Sequence, residues 1–464
     1  MDEFPVAWHP GRKNTNKSKQ DPLLKNAFIR PRFDPIVYHS EQDFMADWTQ
    51  FLCSVIIGIV AGKQAFLRKI RKLDDKEMKS RERVMRSLDH QEPDRVPIDL
   101  GGTIVTSIVK KTYIELKQYL GMPVEQIKML DYVQQLPYVD DGFMERFGVD
   151  FRMVQLPAAT TLGVDIFEEG GYYAFIDRWG AKLHMPKKDG LYFDWVDFPI
   201  KAATMSALDN YRWPRPDPAE VNAQLGLKAK ALYETTDYAL TGSAVIGGGI
   251  FEQPARVMGL QNFLMALITE PAFADRLMDT ITDIYIESCN QYLEQVGPYI
   301  QVFTFWDDLA GQNGWIISPE LYRKRIKPKQ KRLVEAIKKK TDARLFYHSC
   351  GATRGLIPDL IEIGFDILNP VQVSAKGMNT KELKAEFGRD IVFWGGGVDT
   401  QHVLPFGKRQ EVVDEVKHRI DDLAPGGGFV FAAVHNIQAF VPPENIIAAF
   451  DTALQYGKSH PSSA

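Results

Sequence analysis

Cysteine is scarce in this chain. Cys53, Cys289 and Cys350 are scattered over 464 residues. No disulfide framework follows, and a reducing, cytoplasmic setting fits. An excess of one charge is also missing. Lys plus Arg number 56 against 60 Asp plus Glu, a net charge of −4, so no nucleic-acid footprint is expected. Long hydrophobic runs are absent too. The apolar stretch 51–62 (FLCSVIIGIVAG) falls well short of the roughly 20 residues that span a bilayer. It reads as a buried helix and membrane contact is not expected. Docking on a membrane surface or a partner, helped by the basic stretch 63–72, is the lesser alternative. No G-x-G-x-x-G opens a helix after an early strand, which removes the dinucleotide fingerprint.

What is present is ample apolar material, 45% of the chain, and a regular alternation of strand and helix patterns. Residues 1–75 form an N-terminal extension, mostly polar before Phe44. An amphipathic helix over 76–88 opens the main domain, 76–464. Strands are expected at 96–100, 149–156, 238–247, 301–306, 344–347, 366–369, 391–394 and 428–434. Helices are expected over 261–293 in two segments, 319–340, 353–363, 380–387 and 409–423. Eight strands with crossover helices predict an α/β fold, a closed (β/α)8 TIM barrel; an open doubly wound sheet is the alternative. Residues 165–200, rich in Tyr, Phe, Trp and paired Gly, predict a β-hairpin insertion after the second strand that walls one side of the barrel mouth. Its aromatics read first as packing residues.

In such barrels, polar residues at the carboxyl ends of strands are catalytic candidates, and nearly every strand here ends in one. The fifth ends in the run 344–351 (RLFYHSCG). Side chains two apart on a strand point the same way, so His348 and Cys350 leave it side by side as half a zinc site. Tyr347 precedes them. The bland alternative is a satisfied histidine beside a buried thiol. A third ligand is sought among His435, at the end of the eighth strand, and the carboxylates Glu252, Asp307 and Asp308; His402 ranks below His435. Asp307 and Asp308 read as an acid–base pair, as a partner orienting a ligating histidine, or as a helix cap plus a solvated charge. Asn369, Gln372 and Asn436 read as orienting hydrogen-bond donors in contact with substrate, or as caps of the strand-to-helix turns.

The stretches 81–97 (RERVMRSLDHQEPDRVP), 348–351 (HSCG), 364–372 (GFDILNPVQ), 394–399 (WGGGVD) and 441–446 (VPPENI) resemble the uroporphyrinogen decarboxylase superfamily, over about residues 76–455. The resemblance implies the barrel independently of the strand count. Decarboxylases of that superfamily hold porphyrinogen carboxylates with arginines near the first strand, where this chain reads 96–102 (VPIDLGG). The chain is closer to the cobalamin-dependent methyltransferase branch, whose members bind zinc through H-x-C and a later cysteine. His348 and Cys350 match the first two positions, and His435 stands at the third. The resemblance implies an enzyme that moves a methyl group between a small methylated substrate, for example a methoxylated compound, and a separate corrinoid protein. The corrinoid comes from a partner because no D-x-H-x-x-G signature of a cobalamin-binding domain is present. Two alternatives stay open: a methylcobamide:thiol methyltransferase acting on a thiol acceptor, and a metal-free tetrapyrrole decarboxylase. Asp307, Asp308 and Glu252 are the catalytic candidates, Asn369, Gln372, Asn436 and Tyr347 the substrate-binding ones. A homodimer stays open.

Overall fold

The computed structural model describes residues 77–458, apart from 125, 159–160 and 245. The expected extension 1–75, with its apolar run 51–62, lies outside the described residues. Seven parallel strands lie side by side in chain order: Phe151–Val154, Ala239–Gly242, Val302–Trp306, Arg344–His348, Ile367–Asn369, Val392–Trp394 and Phe429–Val430. They are apolar on both faces because helices cover one and the barrel interior the other.

The eighth member is a stub. Ile98 makes a parallel bridge to Phe431. Asp99 N–H donates to Phe431 O at 2.8 Å, Phe431 N–H to Pro97 O at 2.8 Å, and Asp150 N–H to Ile98 O at 2.9 Å. The stub therefore lies between the last strand and the strand at Phe151–Val154, and the ring closes. Phe151, Phe346 and Trp394 fill the interior, with ring centroids 4.5 and 5.2 Å apart. This is the layered side-chain packing of a barrel core.

The seam is held by charge. Asp150 is fully buried and pairs with Arg83 and Arg95 at 2.8 Å each. It also accepts Ile98 N–H at 2.9 Å and the Ser80 hydroxyl at 2.8 Å. One carboxylate thus joins the helix Ser80–Leu88, the stub and the following strand.

The outer helices follow from their stripes. In Pro271–Val296, with Pro at its start, Leu277, Ile281, Tyr285, Cys289, Tyr292 and Val296 are buried, spaced to face the barrel. Cys289 is a stripe residue. The expected helix 319–340 is interrupted by a π-helical segment, Tyr322–Ile326. It sets the Tyr322 hydroxyl 2.9 Å from Gln330 Oε1.

The insertion after Phe151–Val154 is a four-stranded antiparallel meander, Phe167–Glu169, Tyr172–Ile176, Lys182–Pro186 and Asp194–Asp197. Phe175, Leu183 and Phe193 form its own small core with Tyr132, Val133 and Trp195. The Trp179 indole N–H, donating to Ile246 O, ties it to the loop after the strand Ala239–Gly242. No helix among the described residues is long and apolar enough to cross a membrane.

Removing the buried anion strands two guanidinium groups at the seam. Asp150→Ala is expected to lower the unfolding free energy by about 3–5 kcal/mol, measured by chemical denaturation. A loss below about 1 kcal/mol would show that the seam does not depend on this ion cluster.

Candidate metal centre

The strand Arg344–His348 places His348 in register with Trp306 on one neighbour and Asn369 on the other. The strand ends there, and the chain turns at Gly351, whose φ is +93°. A Cβ at this position would lie 2.5 Å from Ala310 O, so only glycine permits the turn that carries Cys350 back beside the imidazole. His348 Nε2 is 3.6 Å from Cys350 Sγ. His435 arrives from beyond the last strand, its ring centroid 5.3 Å from that of His348. The ligand atoms of His348, Cys350 and His435 all lie within 4.8 Å of one another.

This donor set fits zinc. With metal–nitrogen and metal–sulfur bonds of about 2.05 and 2.3 Å, a tetrahedral angle separates the two donors by about 3.6 Å, the spacing of His348 Nε2 and Cys350 Sγ. Two imidazoles and one thiolate leave a fourth position open.

The surroundings orient one imidazole and shift the other two groups. The Asn369 side-chain N–H donates to Trp394 O at 2.9 Å, so its Oδ1 faces His348 Nδ1 at 2.6 Å and accepts the ring proton. Nε2 then presents its lone pair to the site. The Trp394 indole is itself held by Asp99 at 3.0 Å. Burial, with the His348 ring adding to it, holds the His435 imidazole down at about 3, so it stays neutral. Burial, then the Asp308 and Glu252 carboxylates, push the Cys350 thiol well above its ordinary value. A divalent cation supplies the opposite charge that this group of acids and thiol calls for.

The two adjacent aspartates point to different places. Asp308 lines a cavity of about 280 Å³ together with His348, His435, Glu252, Arg256, Trp195 and Trp306. Its Oδ1 accepts Cys350 N–H at 2.8 Å and lies 4.0 Å from His348 Nε2. Burial and Glu252 raise its pKa. Asp307 lies behind this wall, fully buried. It accepts the N–H groups of Phe251 and Glu252 at 3.0 Å and the Gln330 side chain at 2.9 Å. A Cβ on Gly249 would overlap it at 2.1 Å, which explains a glycine there. Burial and Glu252 push its carboxyl up to about 7.

The four expected substrate contacts are all engaged in scaffolding, and none lines the cavity. Asn369 orients His348. Gln372 accepts Gly351 N–H at 2.7 Å and steadies the turn at Cys350. Asn436 accepts Ser107 N–H at 2.6 Å and donates to Ile104 O at 3.0 Å, fixing the loop that bears His435. The Tyr347 hydroxyl donates to Asp307 O at 3.0 Å. His402 pairs with Asp399 at 2.9 Å, is largely exposed and stands outside the group of three.

Arg256, Trp195 and Trp306 are cavity residues that the sequence reading did not single out. Arg256 pairs with Glu252 at 3.1 Å, one helical turn away, and lies over the Trp195 ring at 4.8 Å. The i, i+4 spacing from Glu252 was the available signal. For Trp195 there was none beyond the aromatic insertion, whose walling of the mouth this residue accomplishes.

The family model described as uroporphyrinogen decarboxylase (URO-D) matches residues 175–456, more than half of the chain. Among solved structures, a methyltransferase from Methanosarcina mazei is similar in fold at 16% identity, with a TM-score of 0.55, covering 82% of this chain and 99% of that one. A B12-independent methionine synthase from a Shewanella species is 11% identical, with a TM-score of 0.38, over 68% of this chain and 83% of that one. A β-glycosidase from Thermosphaera aggregans is 11% identical, with a TM-score of 0.34, over 69% and 84%. No curated protein matches the chain.

Zinc is expected to bind at one equivalent per chain and to be lost in Cys350→Ala and His435→Ala. Asn369→Leu is expected to weaken zinc binding about 10–100-fold by freeing the His348 ring. Competition with a chromophoric chelator measures both. Unchanged affinity in all three variants would place the metal elsewhere.

Proposed function

The chain belongs to the uroporphyrinogen decarboxylase family, and from that premise we propose that it is a zinc-dependent methyltransferase. It would move a methyl group from a small methoxylated substrate to a corrinoid carried by a separate protein. The observation that carries this reading is the group of two imidazoles and one thiol at the barrel mouth, opening on a small cavity with an acid beside it. In this reading His348, Cys350 and His435 hold the zinc. When bound, it supplies Lewis-acid polarisation of the ether oxygen. A site with one thiolate leaves the metal more electrophilic than one with two, which favours activating a methyl donor over holding a nucleophilic thiolate.

The residues of the chain supply the rest. Asp308, whose Oδ1 lies 4.0 Å from His348 Nε2 beside the three candidate ligands, is placed to pass a proton to the departing oxygen. The methyl–oxygen bond would break with its electron pair left on oxygen, the methyl would go to cobalt(I) of the partner's corrinoid, which would supply the two electrons of the new bond, and the proton from Asp308 would complete the departing alcohol or phenol. Arg256 and Glu252 neutralise each other on the cavity wall, and Trp195 and Trp306 add aromatic surface to its lining.

Cavity size and charge argue against a tetrapyrrole. About 280 Å³ lies at the small end for a drug-sized ligand and suits a single-ring substrate. The cavity's two arginines, Arg178 and Arg256, are each paired with an acid, Asp217 and Glu252. They do not offer the set of free cations that a polycarboxylate needs.

The test is a demethylation assay with methoxylated arenes and a corrinoid protein. Turnover is expected, with formation of the free phenol. Asp308→Asn is expected to lower kcat about 10²–10⁴-fold for substrates whose leaving oxygen is strongly basic, and far less for those with an acidic leaving group. Methylation of free thiols by methylcobalamin, with no reaction of ethers, would overturn the reading.

A further inference from the structure

A second concavity, of about 1190 Å³, adjoins the catalytic cavity and shares Arg178 with it. The insertion forms one side, and the segment 207–216 forms the other. Arg178, Lys201, Arg212 and Arg215 line it against a single carboxylate, Asp177. Asp177 is buried and turned inward, accepting the N–H groups of Trp179 and Ala181 at 2.9 Å. A chain with a net charge of −4 thus gathers a positive strip at the rim of its active site.

The four cations differ in state. Arg178 is pinned by Asp217 at 2.9 Å and by Arg215 O at 2.6 Å, and Lys201 pairs with Asp197. Arg212 and Arg215 are exposed, and their side chains have no ion pair or hydrogen bond among the described residues. Between them Trp213 packs edge-on against Tyr211, with centroids 4.7 Å apart, and the Tyr211 hydroxyl donates to Trp179 O. Pro199, Pro214 and Pro216 stiffen the walls. The surface is pre-ordered, so little entropy is lost when it is covered.

We propose that this groove docks an acidic face of the corrinoid-carrying partner. The proposal rests on the methyltransferase reading above. Two features select a protein over a small anion. The free arginines line an open concavity of about 1190 Å³, far wider than a small anion fills. Exposed charges of this kind act weakly on a small ligand, yet they steer and orient a large surface of opposite sign. The shared Arg178 puts whatever covers the groove next to the opening through which a methyl acceptor must reach the substrate.

The experiment compares wild type with the charge-reversed double variant R212E/R215E. Both residues line only the groove. With a corrinoid protein as acceptor, its KM is expected to rise by about tenfold or more, while the KM of the methyl donor and the rate with free cob(I)alamin stay within twofold. The wild-type KM for the corrinoid protein is also expected to climb with salt more steeply than that of the variant. An unchanged KM for the corrinoid protein overturns the proposal, as does an effect confined to the methyl donor, which would assign the groove to a small anion. Turnover with free cob(I)alamin but none with a corrinoid protein overturns it as well. If wild type turns over no methyl donor even with free cob(I)alamin, the methyltransferase reading itself fails.

Discussion

The closure of the barrel through a three-residue stub is the constraint on which the rest depends. An eight-membered parallel ring needs every strand edge paired, yet the residues around Ile98 provide only one bridge to Phe431 and one hydrogen bond from Asp150. Asp150 offsets that short contact by binding two arginines, a serine and the stub's own backbone within one dry cluster. Pairing is what makes such a cluster tolerable: a lone buried carboxylate would be costly. Once the ring is closed, the strand ends are fixed relative to one another, and a metal site can draw its ligands from two of them.

Order passes from that ring to the metal centre along hydrogen bonds. Asp99, on the stub, holds the Trp394 indole; Trp394 O holds the Asn369 amide; Asn369 holds the His348 ring. Each link leaves the next with one available orientation. The electrostatics agree with the geometry. A neutral His435, a thiol pushed up by burial and two carboxylates, and an imidazole oriented by Asn369 form a set that gains most from a cation. Burial and Glu252, which push the thiol up, also raise the proton affinity of Asp308, so the donor set and the acid belong to one arrangement of charge.

Much of this was legible in the sequence. All eight strand positions and the hairpin insertion follow from apolar runs and turn residues, and the pairing of His348 with Cys350 follows from the two-residue period of a strand. Other features depended on tertiary placement. The strand expected at 238–247 ends at Gly242, and beyond it Gly249 leaves the space that Asp307 occupies. Asp307 and Asp308 read alike in sequence, but neighbouring side chains at a strand end point to opposite sides, so one enters the cavity and the other caps a turn behind it. Asn369, Gln372, Asn436 and Tyr347 have the composition of substrate contacts. Their hydrogen bonds are nonetheless taken up by neighbouring backbone and by the side chains of His348, Gln312, Gln134 and Gln330, a distinction that only the packed structure draws. The π-helical segment at Tyr322 leaves no trace in hydrophobic periodicity, because a single extra residue per turn barely changes the pattern.

The fold also divides its work between two parts. The barrel supplies the candidate metal ligands, their orienting residues and Asp308, all from strand ends that the closed ring holds in register. The insertion supplies the Trp195 wall of the cavity and one side of the basic groove. It is anchored to the barrel through Trp179 and carries its own small core of Phe175, Leu183 and Phe193. A change of shape in the insertion therefore alters what fits the cavity or seats on its rim without disturbing the register of His348, Cys350 and His435. In the proposed function, the meander and the segment 207–216 facing it across the groove would select substrate and partner, while the chemistry would stay with the ring.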